Sequence, residues 1–263
     1  MFRVIDILGI NTRHAITINY LVASITGFVI FGWPTDVLSK LWFWFAAIKG
    51  VAFYLVFRVM ARTAQINGVA VAGIATKMSV LMPVAVGLIV LGESIELMKI
   101  LGIVTGVSAV ILSAVGVAQV REWRWPILAF LGTGAIDSSF KLLQVWILND
   151  ADIPQFTSVI FVFAFAVGLA HHATLPQKKF ASASLISGAI LGIFNFGSVY
   201  FILLALSQPN LESSIVFPIN NFGVVLGATI IGVVAFREKL TVRGWLGLAT
   251  ALTSIVLLYI SAR

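Results

Sequence analysis

Four ionisable side chains interrupt long apolar runs: Lys49 in "AIKGVAFY", Lys77 in "GIATKMSVLMP", and Asp137 and Lys141 in "GAIDSSFKLL". Near the centre of a membrane helix each such group costs about 2.5–3.5 kcal/mol on insertion scales. They are therefore expected to face a bundle interior or a wet cavity. Asp137 and Lys141 are four residues apart, which puts them on one helical face. Two readings stay open for that pair: self-neutralisation that lets the helix insert, or a role for Asp137 as partner to Lys77 or to a coupling proton. A carboxyl in a low-dielectric site takes up a proton more readily, and a buried lysine gives one up more readily, so either group is a candidate for exchange. Three lysines against one aspartate leave an excess of two positive charges. That excess points to neutral lysines, a wet cavity or an anionic ligand, the last suggesting a solute with a carboxylate or phosphate.

Neutral polar groups extend the candidate site. "FPINNFG" places Asn220 and Asn221 just after Pro218, and "GIFNFGS" places Asn195 inside an apolar run. Amides bind solutes by donating and accepting, but they also join helices. Pro218 removes a backbone donor and frees the carbonyl of Ser214, and Pro83 is expected to loosen its helix at Ser79, one turn beneath it. His14, His171 and His172 fall at the ends of apolar runs, where an interfacial "HH" pair is expected rather than a metal site. No metal or cofactor is expected, and the chain has no cysteine. No paired acid and base or phosphate-binding loop supports an enzyme or an ATP-driven pump.

The elements that must position these residues follow from hydropathy. The 263 residues are 60% hydrophobic and 10% charged, against about 45–50% and about 25% in soluble domains. An all-α membrane protein is the direct reading, because a span needs about 20 apolar residues. Nine transmembrane helices are expected, at about 14–32, 41–60, 67–91, 98–118, 125–147, 154–172, 182–206, 212–236 and 243–261. The seven tryptophans fall near the ends of these runs, as an interfacial belt does. The net charge of +7 comes with basic residues in short connections, which speaks for membrane orientation and against nucleic acid. Arg3, Arg13, Arg58, Arg62, Arg121, Arg124, Lys178, Lys179, Arg237, Lys239 and Arg243 fall on one face, and Lys40, Lys99 and Arg263 on the other. The first face is expected to be cytoplasmic, in a bacterial-type inner membrane, with the C-terminus outside.

Residues 80–112 align without gaps to 225–257, an offset of 145, with identities that include Gly87/Gly232, Glu93/Glu238, Gly102/Gly247 and Thr105/Thr250. Glu93 and Glu238 are five spans apart and so lie on opposite faces, which makes the repeat inverted. The halves are 1–118 and 119–263. The second has five helices and the first four, since helix 125–147 maps upstream of Met1. The first half is expected to lack its first helix.

"NGVAVAGIATKMSVLMPVAVGLIVLGESIELMKILGIVTGVSAVIL" and "SSIVFPINNFGVVLGATIIGVVAFREKLTVRGWLGLATALTSIVLLYIS" resemble the two EamA-like halves of the drug/metabolite transporter superfamily. The shared features are a proline-bearing helix, a glycine-spaced apolar run, a loop-start glutamate and a following helix with an early glycine. The resemblance implies ten helices in an inverted repeat of five and secondary transport of a small organic solute, an anionic metabolite or an amino acid, by alternating access. The chain departs from it in the missing first helix and in the outside C-terminus. Lys77 is expected to hold the solute or its counter-ion, with Asp137, Lys141, Asn220, Asn221, Asn195 and Lys49 as further candidates. Expected partners are the solute, the lipid bilayer and, as an open alternative, a second copy in a homodimer. The competing reading is a truncated membrane protein that does not transport, or a partner subunit.

Overall fold

The computed structural model describes residues 12–33, 36–114, 120–173, 182–236 and 242–262. The stub before Thr12, Lys178, Lys179, Arg237, Glu238, Lys239 and Arg263 lie outside the described residues, as do the side chains of Arg13 and Arg243. Ten α-helices carry the fold: α1 Thr12–Phe31, α2 Leu41–Asn67, α3 Val69–Met78, α4 Leu81–Val90, α5 Leu97–Ala114, α6 Arg124–Trp146, α7 Ile153–Ala173, α8 Ser182–Leu206, α9 Ser213–Phe236 and α10 Val242–Ser261. No strand occurs among the described residues.

Among the described residues six segments are long and apolar enough to cross a membrane: His14–Phe31, Leu41–Asn67, Val69–Val90, Asp150–Ala173, Ser184–Leu206 and Gly244–Ser261. Two shorter apolar helices are Leu97–Leu112 and Ser213–Gly227. The span Val69–Val90 is α3 and α4 in succession, broken at Ser79–Val80. Pro83 is the third residue of α4, where its missing N–H costs little. Met82 N–H donates to the Ser79 carbonyl at 3.0 Å and Val84 N–H to Val80 at 3.2 Å, so the ladder restarts beyond the break.

The chain forms two compact units, Met1–Ala61 with Leu142–Ser207, and Arg62–Lys141 with Gln208–Arg263. Each unit takes residues from both sequence halves, and the stretch Arg62–Lys141 crosses the boundary at 118/119. In the first unit α1 lies against α7 and α8. Its pairing with α7 is antiparallel: His14 meets His172, Thr17 meets Gly168, and Gly27 backs onto Ser158. The offset of 145 equates these same two helices. Gly188 and Gly192 of α8 face the backbone of α1 at Ala15 and Asn19. Lipid tails are as apolar as leucine, so close backbone approach through small residues supplies the packing that water expulsion supplies in soluble proteins.

The second unit repeats the pattern. The offset maps Leu97 to Val242, the first residues of α5 and α10. These two helices pack extensively and run antiparallel, with Gly102 against Leu258, Ser254 Oγ donating to the Gly102 carbonyl at 2.6 Å, and Ser261 Oγ donating to Glu96 at 3.1 Å. Gly106 of α5 backs onto the ring of Phe222 in α9, and Gly134 of α6 onto Met82 of α4.

Hydrogen bonds and ion pairs between connections join connections of the same parity, as an up-and-down chain requires. Lys40, after α1, pairs with Asp152, before α7, at 3.5 Å. Asn67, at the end of α2, binds the backbone at Arg121 and Glu122, before α6. Ser94 and Lys99 bind Glu212.

Candidate functional site

Each half of the broken span has ten residues, about 15 Å of helix, and the hydrocarbon core is about 30 Å thick. A break between two such halves falls near the midplane. Lys77 is the penultimate residue of α3, so its ammonium sits at the negative end of a half-helix, the favourable end for a cation. The carbonyls there are occupied locally. Thr76 Oγ1 donates to Ala72 at 3.0 Å, Ser79 Oγ to Thr76 at 2.6 Å and Ser79 N–H to Ala75 at 3.2 Å.

Lys77 Nζ donates to Asn221 Oδ1 at 3.1 Å. Asn221 is buried, and its Nδ2 donates to the Phe217 carbonyl at 3.2 Å, one residue before Pro218. The two proline-bearing segments of the repeat thus meet through one lysine and one amide. Asp137 on α6 lies within electrostatic reach of Lys77. Lys141, one turn further along α6, lies within reach of Glu93 and Glu212. Asn220 is half-buried on α9.

Two expected site residues belong to the other unit. Lys49 is buried there on α2. Asn195 donates to Asn19 Oδ1 at 3.3 Å, joining α8 to α1, which is the helix-joining role of an amide. The histidine pairing differs from the sequence expectation: His172 stacks edge-on with His14, ring centroids 4.7 Å apart, while His171 Nδ1 bonds Tyr54 Oη at 2.5 Å. Neighbours in a helix point about 100° apart, so "HH" is not one pair. Among the described residues no group of three or more His, Cys, Asp or Glu suits a metal.

Sequence reasoning missed a polar cluster at one end of the second unit. Gly92, at φ +66°, turns the chain out of α4 and delivers Glu93 to the start of α9. Glu93 Oε1 accepts from Ser213 N–H at 2.7 Å and Ser213 Oγ at 2.5 Å, and Oε2 accepts from Ser214 N–H at 2.8 Å. This is an N-terminal cap supplied from 120 residues away. Beside it Lys99, 1% exposed, donates to the Ser94 carbonyl at 2.7 Å and to Glu212. Burial works to raise the Glu212 carboxyl, and the hydrogen bonds from Lys99 and Ser94 outweigh it, holding it below the usual carboxylate range. Lys99, placed on the sparsely basic face by the sequence, is a buried ion-pair partner of Glu212.

The charge count changes with these residues included. The candidate residues and the polar cluster of the second unit comprise Lys77, Lys99 and Lys141 against Glu93, Asp137 and Glu212, three of each sign. The excess of two positive charges becomes zero when Lys49, which sits in the other unit, is dropped and Lys99, Glu93 and Glu212 are added.

Fold and site together define a polytopic helical membrane protein with one broken span and an internal lysine at the break. No known family profile matches the chain. It is 25% identical over 224 residues to an uncharacterized protein of Haemophilus influenzae, covering 80% of this chain and 73% of the relative. A solved structure described as "Crystal structure of protein" superposes with a TM-score of 0.75 over 96% of this chain and 90% of its own, at 10% identity. That likeness speaks to fold alone.

Proposed function

We propose that the chain is a secondary transporter of the EamA-like drug/metabolite type, with nine spans in the inner membrane and its basic connections in the cytoplasm. It moves a small organic solute by alternating access. The observation that carries this reading is Lys77 at a helix break near the midplane, bonded to Asn221 beside the proline of the equivalent helix. Broken helices that meet at an internal polar group are the recurrent substrate-site construction of secondary carriers. The antiparallel packing of repeat-equivalent helices in each unit supports the same reading.

The balanced charges favour a zwitterion over a net anion. A solute with one carboxylate and one ammonium would match Lys77 and Asp137 and leave no charge uncompensated in low dielectric. An amino-acid-type solute is therefore preferred to an organic phosphate. Lys77 would bind the carboxylate, Asn221 would orient Lys77, and Asp137 would face the ammonium.

The test is comparison of extracellular and intracellular metabolite profiles in cells with and without the chain, followed by counterflow in proteoliposomes with the solutes that differ. Selective counterflow of an amino-acid-type solute supports the proposal. Absence of counterflow for every differing solute supports the non-transporting alternative.

A further inference from the structure

The connection before α6 carries Arg121, Glu122 and Trp123, α6 opens on Arg124 and Trp125, and this stretch is fixed rather than loosely exposed. Asn67, buried at the end of α2, clamps it with three hydrogen bonds: its Oδ1 accepts from Arg121 N–H at 2.7 Å and Glu122 N–H at 2.9 Å, and its Nδ2 donates to the Glu122 carbonyl at 3.1 Å. Glu122 Oε2 accepts from Trp125 Nε1 at 3.1 Å and from Arg124 Nη2 at 2.7 Å, which stands the indole against the arginine. The Trp125 ring has the Arg124 guanidinium 5.3 Å from its centroid and the Arg62 guanidinium, from α2, at 5.9 Å. Trp123 beside them is 68% exposed.

Among the described residues the carboxylate of this cluster is Glu122, and it is engaged by Arg124 and Trp125. Three guanidiniums against one carboxylate leave two positive charges, on the exposed Arg62 and Arg121. The two tryptophans set the depth: such rings sit at headgroup level, so the guanidiniums stand where lipid phosphates lie. Arginine forks match phosphate oxygens in pairs. Orientation alone needs basic residues anywhere in the connection, and it does not need the backbone clamped or two guanidiniums held at one indole.

We propose that Arg62 and Arg124, at the Trp125 ring, together with Arg121 of the clamped connection, form a binding site for the phosphate of an anionic phospholipid headgroup. The site holds the lipid at the end of α2 and α6 and fastens these two helices to one leaflet. It does not depend on what the protein transports.

The test is thermal unfolding of the purified full chain in neutral detergent on titration with cardiolipin, with phosphatidylcholine and inorganic phosphate as comparisons. Bound lipid is counted by native mass spectrometry. At a hundredfold excess over Kd, cardiolipin is expected to raise the wild-type Tm by about 5–10 °C. Phosphatidylcholine and inorganic phosphate are expected to leave it unchanged. The Arg62→Gln/Arg121→Gln variant is expected to match the wild-type Tm without lipid, since both side chains are exposed, and to lose most of the cardiolipin shift and the retained lipid. Arg121→Lys is expected to keep part of the shift. A full cardiolipin shift in the double variant, no shift in the wild type, or the same shift with inorganic phosphate would each overturn the proposal.

Discussion

Replacing Glu93 with alanine removes the acceptor for two backbone N–H groups and one hydroxyl at the start of α9, on Ser213 and Ser214, both fully buried. A buried donor left unmet costs about 1–3 kcal/mol. Loss of an N-terminal cap costs about 0.5–2 kcal/mol, and a carboxylate near a helix N-terminus contributes about 0.3–1 kcal/mol beyond it. These terms overlap, and water can reach the half-buried position of Glu93 once its side chain is gone. Taking the low end for each donor gives about 3 kcal/mol in all. At about 2–4 °C per kcal/mol for a chain of this size, Tm should fall by about 6–12 °C. Glu93→Gln keeps one acceptor and loses the charge, so about half of that loss is expected. Thermal unfolding in one detergent, with SDS titration as an equilibrium check, reads both. Ser213→Ala in the Glu93→Ala background should cost about 1 kcal/mol less than in the wild type, because the two share a bond. A Glu93→Ala variant within about 2 °C of the wild type would refute the cap as a stabilising element.

Further outcomes follow from the same geometry. Gly106→Ala should destabilise by about 1–3 kcal/mol, because its methyl would fall on the Phe222 ring, whereas Gly73→Ala, with nothing within 4 Å, should be neutral or stabilising; chemical unfolding of the pair checks this. Because the folded Glu212 carboxyl is held low, its contribution is full above the ordinary value of 4.5 and is lost as pH falls through the lowered value. Stability of the wild type should therefore drop on acidification in that window, and Glu212→Gln should flatten the drop. Asn195→Ala should lower Tm through the lost bond to Asn19 while leaving solute affinity unchanged; a changed affinity with unchanged Tm would return Asn195 to the site.

The helices were legible because each apolar run is bounded by charges or turn residues. The run 182–206 and α8 coincide, and Pro83 marks the break at Ser79–Val80. The offset of 145 equates the helices that pack as antiparallel pairs, α1 with α7 and α5 with α10. Direction around a helix was not legible. Lys99 sits one turn from the end of an exposed connection, and only the fold brings Glu212, 113 residues away, to its ammonium. Glu93 stood out in the repeat, but nothing local says that its partner is the start of α9. Asn195 and Asn221 look alike in sequence, and one joins helices within the first unit while the other holds Lys77 in the second.

Counterflow of an amino-acid-type solute into proteoliposomes, comparing the wild type with Lys77→Ala at matched Tm, tests the central claim most directly. A charge-assisted bond to a carboxylate contributes about 1.5–3 kcal/mol, so the account predicts a loss of about 10–150-fold in apparent affinity. Counterflow in Lys77→Ala equal to the wild type would contradict it.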